Sequence, residues 1–236
     1  MQTMPALRGV NQLPLFIAHS TEPRFEVHAF SKPARTYTGD FYLTHQGTDR
    51  LWFVLGDVAG KGINAAVIMA MIQEELEHRI ASCATTKCDP SVTLRRLHEF
   101  LHPLMPRNRF ATMVIGTLRE DGVLTIANAG HCPPLLVRNG AVEEIGSTGP
   151  VAGMLRRSEW RSETRKLDRG DALLLFSDGL LEAHSPEGEE LGVDRIACAF
   201  TGAAKRSPRE IVDAVLNDAS DHSFDDDVTL LAITAR

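Results

Sequence analysis

Four aspartates stand at separate points of the chain, each beside glycine or another acid: Thr38-Gly39-Asp40, Gly56-Asp57-Val58-Ala59-Gly60, Ser177-Asp178-Gly179 and Asp225-Asp226-Asp227-Val228-Thr229. Asp57, Asp178 and Asp226 each border an apolar run that reads as a buried strand. Carboxylates are costly to bring near a core without compensating positive charge, and little basic sequence lies beside these. All-oxygen ligation suits Mg2+ or Mn2+ better than zinc, which favours His and Cys. Two such ions about 3.5–4 Å apart acidify a shared water, which can attack phosphorus in line while cationic charge offsets the developing negative charge. Metal-assisted hydrolysis is the chemistry implied. One such aspartate alone reads as a turn residue, because Asp beside Gly is favoured for backbone reasons. Four in this arrangement point to a site.

The elements that must position them alternate between strands and helices. Residues 24–30 alternate polar and apolar, a strand signal. Asp40–Gln46 and Leu51–Val58 read as a hairpin about Gly47-Thr48-Asp49-Arg50. The breaker-free run Asn64–Ile80 predicts a buried helix with Asn64 as N-cap, and Ser91–Leu101 a second helix before Pro103. Hairpins are expected at Ala111–Leu118/Val123–Ala129 and, about Asn139-Gly140, at Leu135–Arg138/Val142–Ile145. Trp160–Leu167, Ala172–Phe176 and Val228–Thr234 read as further strands, and short helices are expected near Leu180–Ala183, Val193–Phe200 and Pro208–Ala219. Hairpins imply antiparallel pairing, so the order predicts an α+β fold of two antiparallel sheets with helices packed outside.

The 236 residues suffice for one large domain or two small ones without a covalent staple. Thirty-one acids against 25 bases give a net charge of −6, which argues against a general nucleic-acid binder and otherwise serves solubility. Cys83, Cys88, Cys132 and Cys198 form no CxxC pair, so reduced thiols and a cytoplasmic location are expected. No apolar stretch approaches the roughly 20 residues that span a bilayer, and the first residues lack a signal-peptide pattern, so no membrane association is expected. Residues 1–23, interrupted by Pro5, Pro14 and Pro23, read as an N-terminal extension to a domain over 24–236, with no room for a sensor module ahead of it.

Taken together, the motifs resemble those of the metal-dependent protein serine/threonine phosphatases (PPM) related to protein phosphatase 2C, in the bacterial branch typified by SpoIIE, RsbU and RsbX. The matching segments are Lys32-Pro33-Ala34, Gly39-Asp40-Phe41-Tyr42, Gly56–Gly62 with Ala65-Ala66 and Met69-Ala70, Phe110–Met113, Asn128–Pro134, Phe176–Leu180 and Asp226–Leu231, in family order from about residue 24 to the C-terminus. The resemblance implies an α/β/β/α sandwich with two Mn2+ or Mg2+ ions between sheet edges. It implies that Asp57 bridges both ions with the Val58 carbonyl facing one, that Asp178 and Asp226 hold the other, and that Asp40 contributes directly or through water. Asp57, Asp178 and Asp226 would then be catalytic. The implied substrate is phosphoserine or phosphothreonine on a regulatory protein such as an anti-sigma-factor antagonist, and a homodimer is compatible with the family. Departures are Leu43, where the family often has a second acid, and Ala59, where eukaryotic relatives have histidine. Arg35, five residues before Asp40, matches a phosphate-contacting base of relatives; the alternative is an exposed, solvated Arg. His131 and Asn128 are expected to brace the Gly-His-x-Pro-Pro turn, and Lys61 to face solvent.

Two other readings compete. His98-Glu99-Phe100-Leu101-His102 matches H-E-x-x-H, a zinc-hydrolase pattern. Pro103 should push His102 out of the helical region and spoil that face, leaving two histidines at a surface helix end that favours their positive charge. A phosphoprotein-binding relative without catalysis is the other reading; the four aspartates argue against it and Leu43 argues for it.

Overall fold

The computed structural model describes residues 24–47, 49–83, 88–106 and 109–236. The expected N-terminal extension, residues 1–23, lies outside them. Among the described residues ten strands form two five-stranded sheets. One contains β1 (Phe25–Lys32), β10 (Val228–Ala235), β9 (Ala172–Phe176), β6 (Leu135–Arg138) and β7 (Ala141–Glu144), in that order. The other contains β2 (Phe41–Gln46), β3 (Arg50–Val58), β4 (Ala111–Arg119), β5 (Val123–Ala129) and β8 (Glu163–Lys166). The pairing within both sheets is antiparallel.

Strand alternation explains the layers, because successive side chains point to opposite faces. Leu51, Phe53 and Leu55 of β3 meet Leu173 and Leu175 of β9 and Leu231 and Ile233 of β10 in the core between the sheets. Trp52, Val54 and Val58 face the other way, against Ile72 and Leu76 of α1 (Ile63–Ala81) and Leu94 and Leu97 of α2 (Pro90–Leu101). On the opposite surface Leu174, Phe176 and Leu230 pack on Ile196 and Phe200 of α4 (Gly192–Ala203) and Ile211 and Val215 of α5 (Pro208–Asp218). Helices, sheet, sheet, helices is the sandwich expected, and burial on both faces is why these strands read as unbroken apolar runs.

The structure revises several details. Gly62, not Asn64, caps α1, and no side chain completes that cap. The alternation of Trp160–Leu167 becomes a strand only over Glu163–Lys166; Trp160 is instead anchored by its indole N–H, which donates to the Pro150 carbonyl at 2.7 Å. Cys83 and Cys88 are joined in a disulfide, so the expectation of reduced thiols is corrected there; their Cα atoms are 5.9 Å apart, within bridging range. Cys132 and Cys198 are free. Among the described residues no helix is long and apolar enough to cross a membrane.

His102 keeps helical dihedrals as the α2 C-cap (φ −51°, ψ −43°), contrary to the expected effect of Pro103, because its N–H still closes the last turn onto the His98 carbonyl. His98 is buried rather than at a surface end. Burial first, then His102, pushes its pKa below the usual histidine range. Both rings hold Gly153: its N–H donates to His98 Nδ1 at 3.0 Å, and its carbonyl lies 3.2 Å from His102 Nδ1. Glu99 is exposed. The H-E-x-x-H run therefore staples the loop after β7 to α2.

Asp89, the α2 N-cap, accepts from the Ser91 N–H at 2.8 Å and from the hydroxyls of Ser91 and Ser162, each at 2.6 Å. One carboxylate thus starts α2 and ties it to the segment entering β8. Asp89→Ala should cost about 1–2 kcal/mol in urea denaturation, more than an ordinary surface cap; a loss below about 0.5 kcal/mol would show that the tie to Ser162 is immaterial.

Candidate functional site: an acidic cleft at the sheet edges

The ends of β3, β9 and β10 open onto a cleft of about 230 Å3 lined by Arg35, Lys61, Asp57, Asp178, Asp226 and Asp227, with Tyr37, Phe110 and Thr112 among its other walls. Asp57 is the penultimate residue of β3 and pairs across the sheet with Thr112 of β4. Asp178 opens the short helix α3 (Asp178–Leu181) directly after β9. Asp226 stands two residues before β10, whose register with β9 is Leu230 opposite Phe176. Three of the four expected aspartates and Arg35 therefore share one cavity.

Close backbone approach makes this possible. A Cβ on Gly179 would lie 2.1 Å from the Asp227 carbonyl oxygen, so only glycine lets the Asp178 turn press against the Asp226-Asp227 segment. Ser177 locks the same contact: its N–H donates to the Thr229 carbonyl at 2.9 Å, its hydroxyl donates to the Asp227 carbonyl at 3.1 Å, and it accepts from the Thr229 N–H at 2.9 Å. Gly39 is pressed equally hard; a Cβ there would meet Asp57 Oδ1 at 2.6 Å and the Val58 carbonyl oxygen at 2.8 Å.

Asp40 and Val58 do not line the cleft. Asp40 lies behind it, 4% exposed, and Val58 is fully buried with its carbonyl against Gly39. Burial pushes the Asp40 carboxyl up to about 8, with Asp57 and Asp227 adding to the rise and the hydroxyls of Thr229 and Ser177 offsetting part of it. Its Oδ2 is buried without a hydrogen-bond partner. Burial, then the charges of Asp178, Asp226 and Asp227, push Asp57 up to about 7. Asp178 rises too, by desolvation and then Asp226, although its side chain reaches solvent.

Such crowding fits a hard cation. The donors are all oxygen, their charges repel one another, and one buried oxygen lacks a partner. Among the described residues no three His, Cys, Asp or Glu side chains already stand at ion-holding spacing: the acids converge without closing, and Asp226 Oδ2 is instead paired with Lys61 Nζ at 3.0 Å. Cys132 is no nucleophile here, since burial and then Asp178 push its thiol up to about 12.

Three contributors escaped the sequence reading. Asp227 grips the loop bearing Arg35: its Oδ1 accepts from the Ala34 N–H at 2.7 Å and its Oδ2 from the Gly39 N–H at 3.1 Å. Thr112 lines the cleft and lies 2.9 Å from His131 Nδ1. Arg109 donates to the Ala59 carbonyl and lies over Gly60. Asn128 and His131 brace their turn as expected, with Asn128 Oδ1 accepting from the His131 N–H at 2.8 Å and its amide donating to the His131 carbonyl at 3.1 Å. Leu43 is buried in the core between β2, β3 and α1, so the residue that replaces a family acid removes no carboxylate from the cleft.

Fold and cleft together define an α/β/β/α sandwich of the protein phosphatase 2C type with acids gathered at the sheet edges. Residues 47–236 match the family described as Stage II sporulation protein E (SpoIIE), and the chain belongs to that family. It is similar to Protein IcfG of Synechocystis sp., 29% identical over 267 residues, covering 95% of this chain and 42% of that protein. It is also similar to phosphoserine phosphatase RsbU of Bacillus subtilis, 27% identical over 221 residues, covering 91% of this chain and 64% of that one. The chain thus spans less than two thirds of either relative. The crystal structure of the RsbU and RsbW domains of Rv1364c from Mycobacterium tuberculosis superposes with TM-score 0.79 at 27% identity, covering 90% of this chain and 61% of that one. The SiaA-PP2C domain of Pseudomonas aeruginosa shares the fold, with TM-score 0.79 at 21% identity over 89% of this chain and 86% of that one.

His131 yields a test. Burial holds its pKa at about 4, below the ordinary histidine value, so the fold requires a neutral ring. Between that value and about 6.5 the unfolded chain binds the extra proton, so this group's contribution to stability falls as pH falls. The raised carboxyl groups act in the opposite sense but are common to wild type and variant. Between about pH 7.5 and pH 5, wild type should lose about 2 kcal/mol more than His131→Gln in urea denaturation. Equal losses would refute a buried neutral His131.

Proposed function

We propose that this chain is a Mn2+- or Mg2+-dependent phosphoprotein phosphatase. It removes phosphate from phosphoserine or phosphothreonine of a regulatory protein. The observation that carries the reading is the meeting of Asp57, Asp178 and Asp226 in one cleft, backed by a buried Asp40 whose Oδ2 has no partner. Similarity to a phosphoserine phosphatase over 91% of the chain supports the same reaction class.

In this reading Asp57, Asp178 and Asp226 would hold the ions from the cleft wall, with Asp40 and the Val58 carbonyl contributing from behind it. Bound ions would supply Lewis-acid charge and an acidified water. Arg35, on the loop that Asp227 grips, reaches the phosphate from the rim; a guanidinium matches phosphate geometry. Ala59 leaves no histidine to donate a proton, so the serine or threonine oxygen takes its proton from solvent. Residues 24–236 form the catalytic domain, with 1–23 an extension, in the cytoplasm. The proposed partner is a phosphorylated protein of a sigma-factor pathway, such as an anti-sigma-factor antagonist. Leu43, turned into the core, gives no support to a non-catalytic relative, and His98 and His102, occupied with Gly153, give none to a zinc hydrolase.

Hydrolysis of an aryl phosphate and a phosphoserine peptide should require Mn2+ or Mg2+ and stop with EDTA. Asp57→Asn and Asp178→Asn should each lower kcat by at least about a hundredfold with folding intact by circular dichroism. Arg35→Ala should act mainly on KM for the peptide, by about tenfold. Turnover indifferent to EDTA, or abolished by His98→Ala while Asp57→Asn stays active, would overturn the proposal; peptide binding without phosphate release under any metal would favour the non-catalytic reading.

A further inference from the structure

Lys61 does not simply face solvent. Its ammonium lies 3.0 Å from Asp226 Oδ2, and it lines the same cavity as Asp57, Asp178 and Arg35. The backbone around it is set. Gly60 and Gly62 both have positive φ, 113° and 84°, which other residues rarely adopt. Arg109 closes the other side: its guanidinium donates to the Ala59 carbonyl, and a Cβ on Gly60 would fall 0.8 Å from its Nη1. With that side filled, the chain between the two glycines turns Lys61 toward the acids.

The pair is half exposed on both sides, 52% for Lys61 and 48% for Asp226. Exposed ion pairs of this kind are weak and exchange readily. A divalent ion gathering several carboxylates easily displaces one ammonium, which is then repelled by the charge that replaced it. The flexible four-carbon stem lets the ammonium swing without moving its backbone. The strongest anion then in reach is a phosphate in the cleft.

We propose that Lys61 is a tethered cation that neutralises Asp226 while the cleft lacks a divalent ion, competes with that ion for Asp226, and on displacement binds the phosphate group of the substrate. This rests on the metal-dependent phosphatase reading above. It gives Lys61 a dual role, antagonist of metal loading and ligand of phosphate.

The test uses the full chain. Free Mn2+, followed by electron paramagnetic resonance, gives metal affinity without turnover. Lys61→Gln should bind Mn2+ about three- to tenfold more tightly than wild type, and Lys61→Arg, which keeps the charge, should stay near wild type. With Mn2+ saturating, the inhibition constant for inorganic phosphate should rise about five- to tenfold in Lys61→Gln. Unchanged or weaker Mn2+ binding in Lys61→Gln overturns the competition. Unchanged phosphate inhibition overturns the second role. A wild type that binds no Mn2+ sinks this inference and the phosphatase reading together, whereas Mn2+ binding lost in Asp57→Asn but indifferent to Lys61→Gln sinks only the inference.

Discussion

Confinement of negative charge is the constraint around which this structure is arranged. Asp40, Asp57, Asp178, Asp226 and Asp227 crowd one edge of the sandwich, and two of them are carried to about 7 and 8 by burial and mutual repulsion. Carboxylates in such surroundings are stable only with partners. Asp227 has two backbone N–H groups, and Asp226 has Lys61. Asp40 keeps an oxygen with none. The mismatch between charge and compensation sets this edge apart from ordinary surface.

The two sheets make the confinement affordable. β3 lies in one sheet and β9 and β10 in the other, so acids at their ends approach one another from two rigid layers whose shared core is filled by Phe53, Leu55, Leu173, Leu175, Leu231 and Ile233. A carboxylate fixed to a strand end cannot retreat far from its neighbours without disturbing that core. The glycine contacts at Gly39 and Gly179 then remove the last distance between segments, and Ser177 stitches the β9 and β10 ends together. Packing therefore sustains an electrostatic arrangement that would disperse on a softer frame.

Much of this was legible in the chain. Apolar runs of strand length, interrupted by Asn139-Gly140 and similar turns, reported strands buried on both faces, and the glycines beside Asp40, Asp57 and Asp178 reported the close approaches. What escaped reading depended on tertiary partners. Asp226 and Asp227 are alike in sequence and both line the cavity, yet Asp227 holds the Arg35 loop through the Ala34 and Gly39 N–H groups while Asp226 pairs with Lys61, partners that only the fold supplies. Arg109 is far in sequence from the acids of the cleft and meets Ala59 and Gly60 through the β3–β4 register. The H-E-x-x-H spacing is a true helical face whose histidines found a loop to hold, and Trp160 mimicked strand alternation while serving as an anchor.

In the proposed phosphatase, Ala59 in place of a histidine leaves the site with cations instead. The guanidinium of Arg109 lies where a Cβ on Gly60 would fall and donates to the Ala59 carbonyl. One cation, Arg109, holds the backbone of this loop, and another, Lys61, lines the cleft beside Asp226. If the proposed phosphatase reading holds, such a site would rely on charge stabilisation at phosphorus more than on proton delivery to the leaving oxygen, a balance that phosphoryl transfer through a loose transition state tolerates.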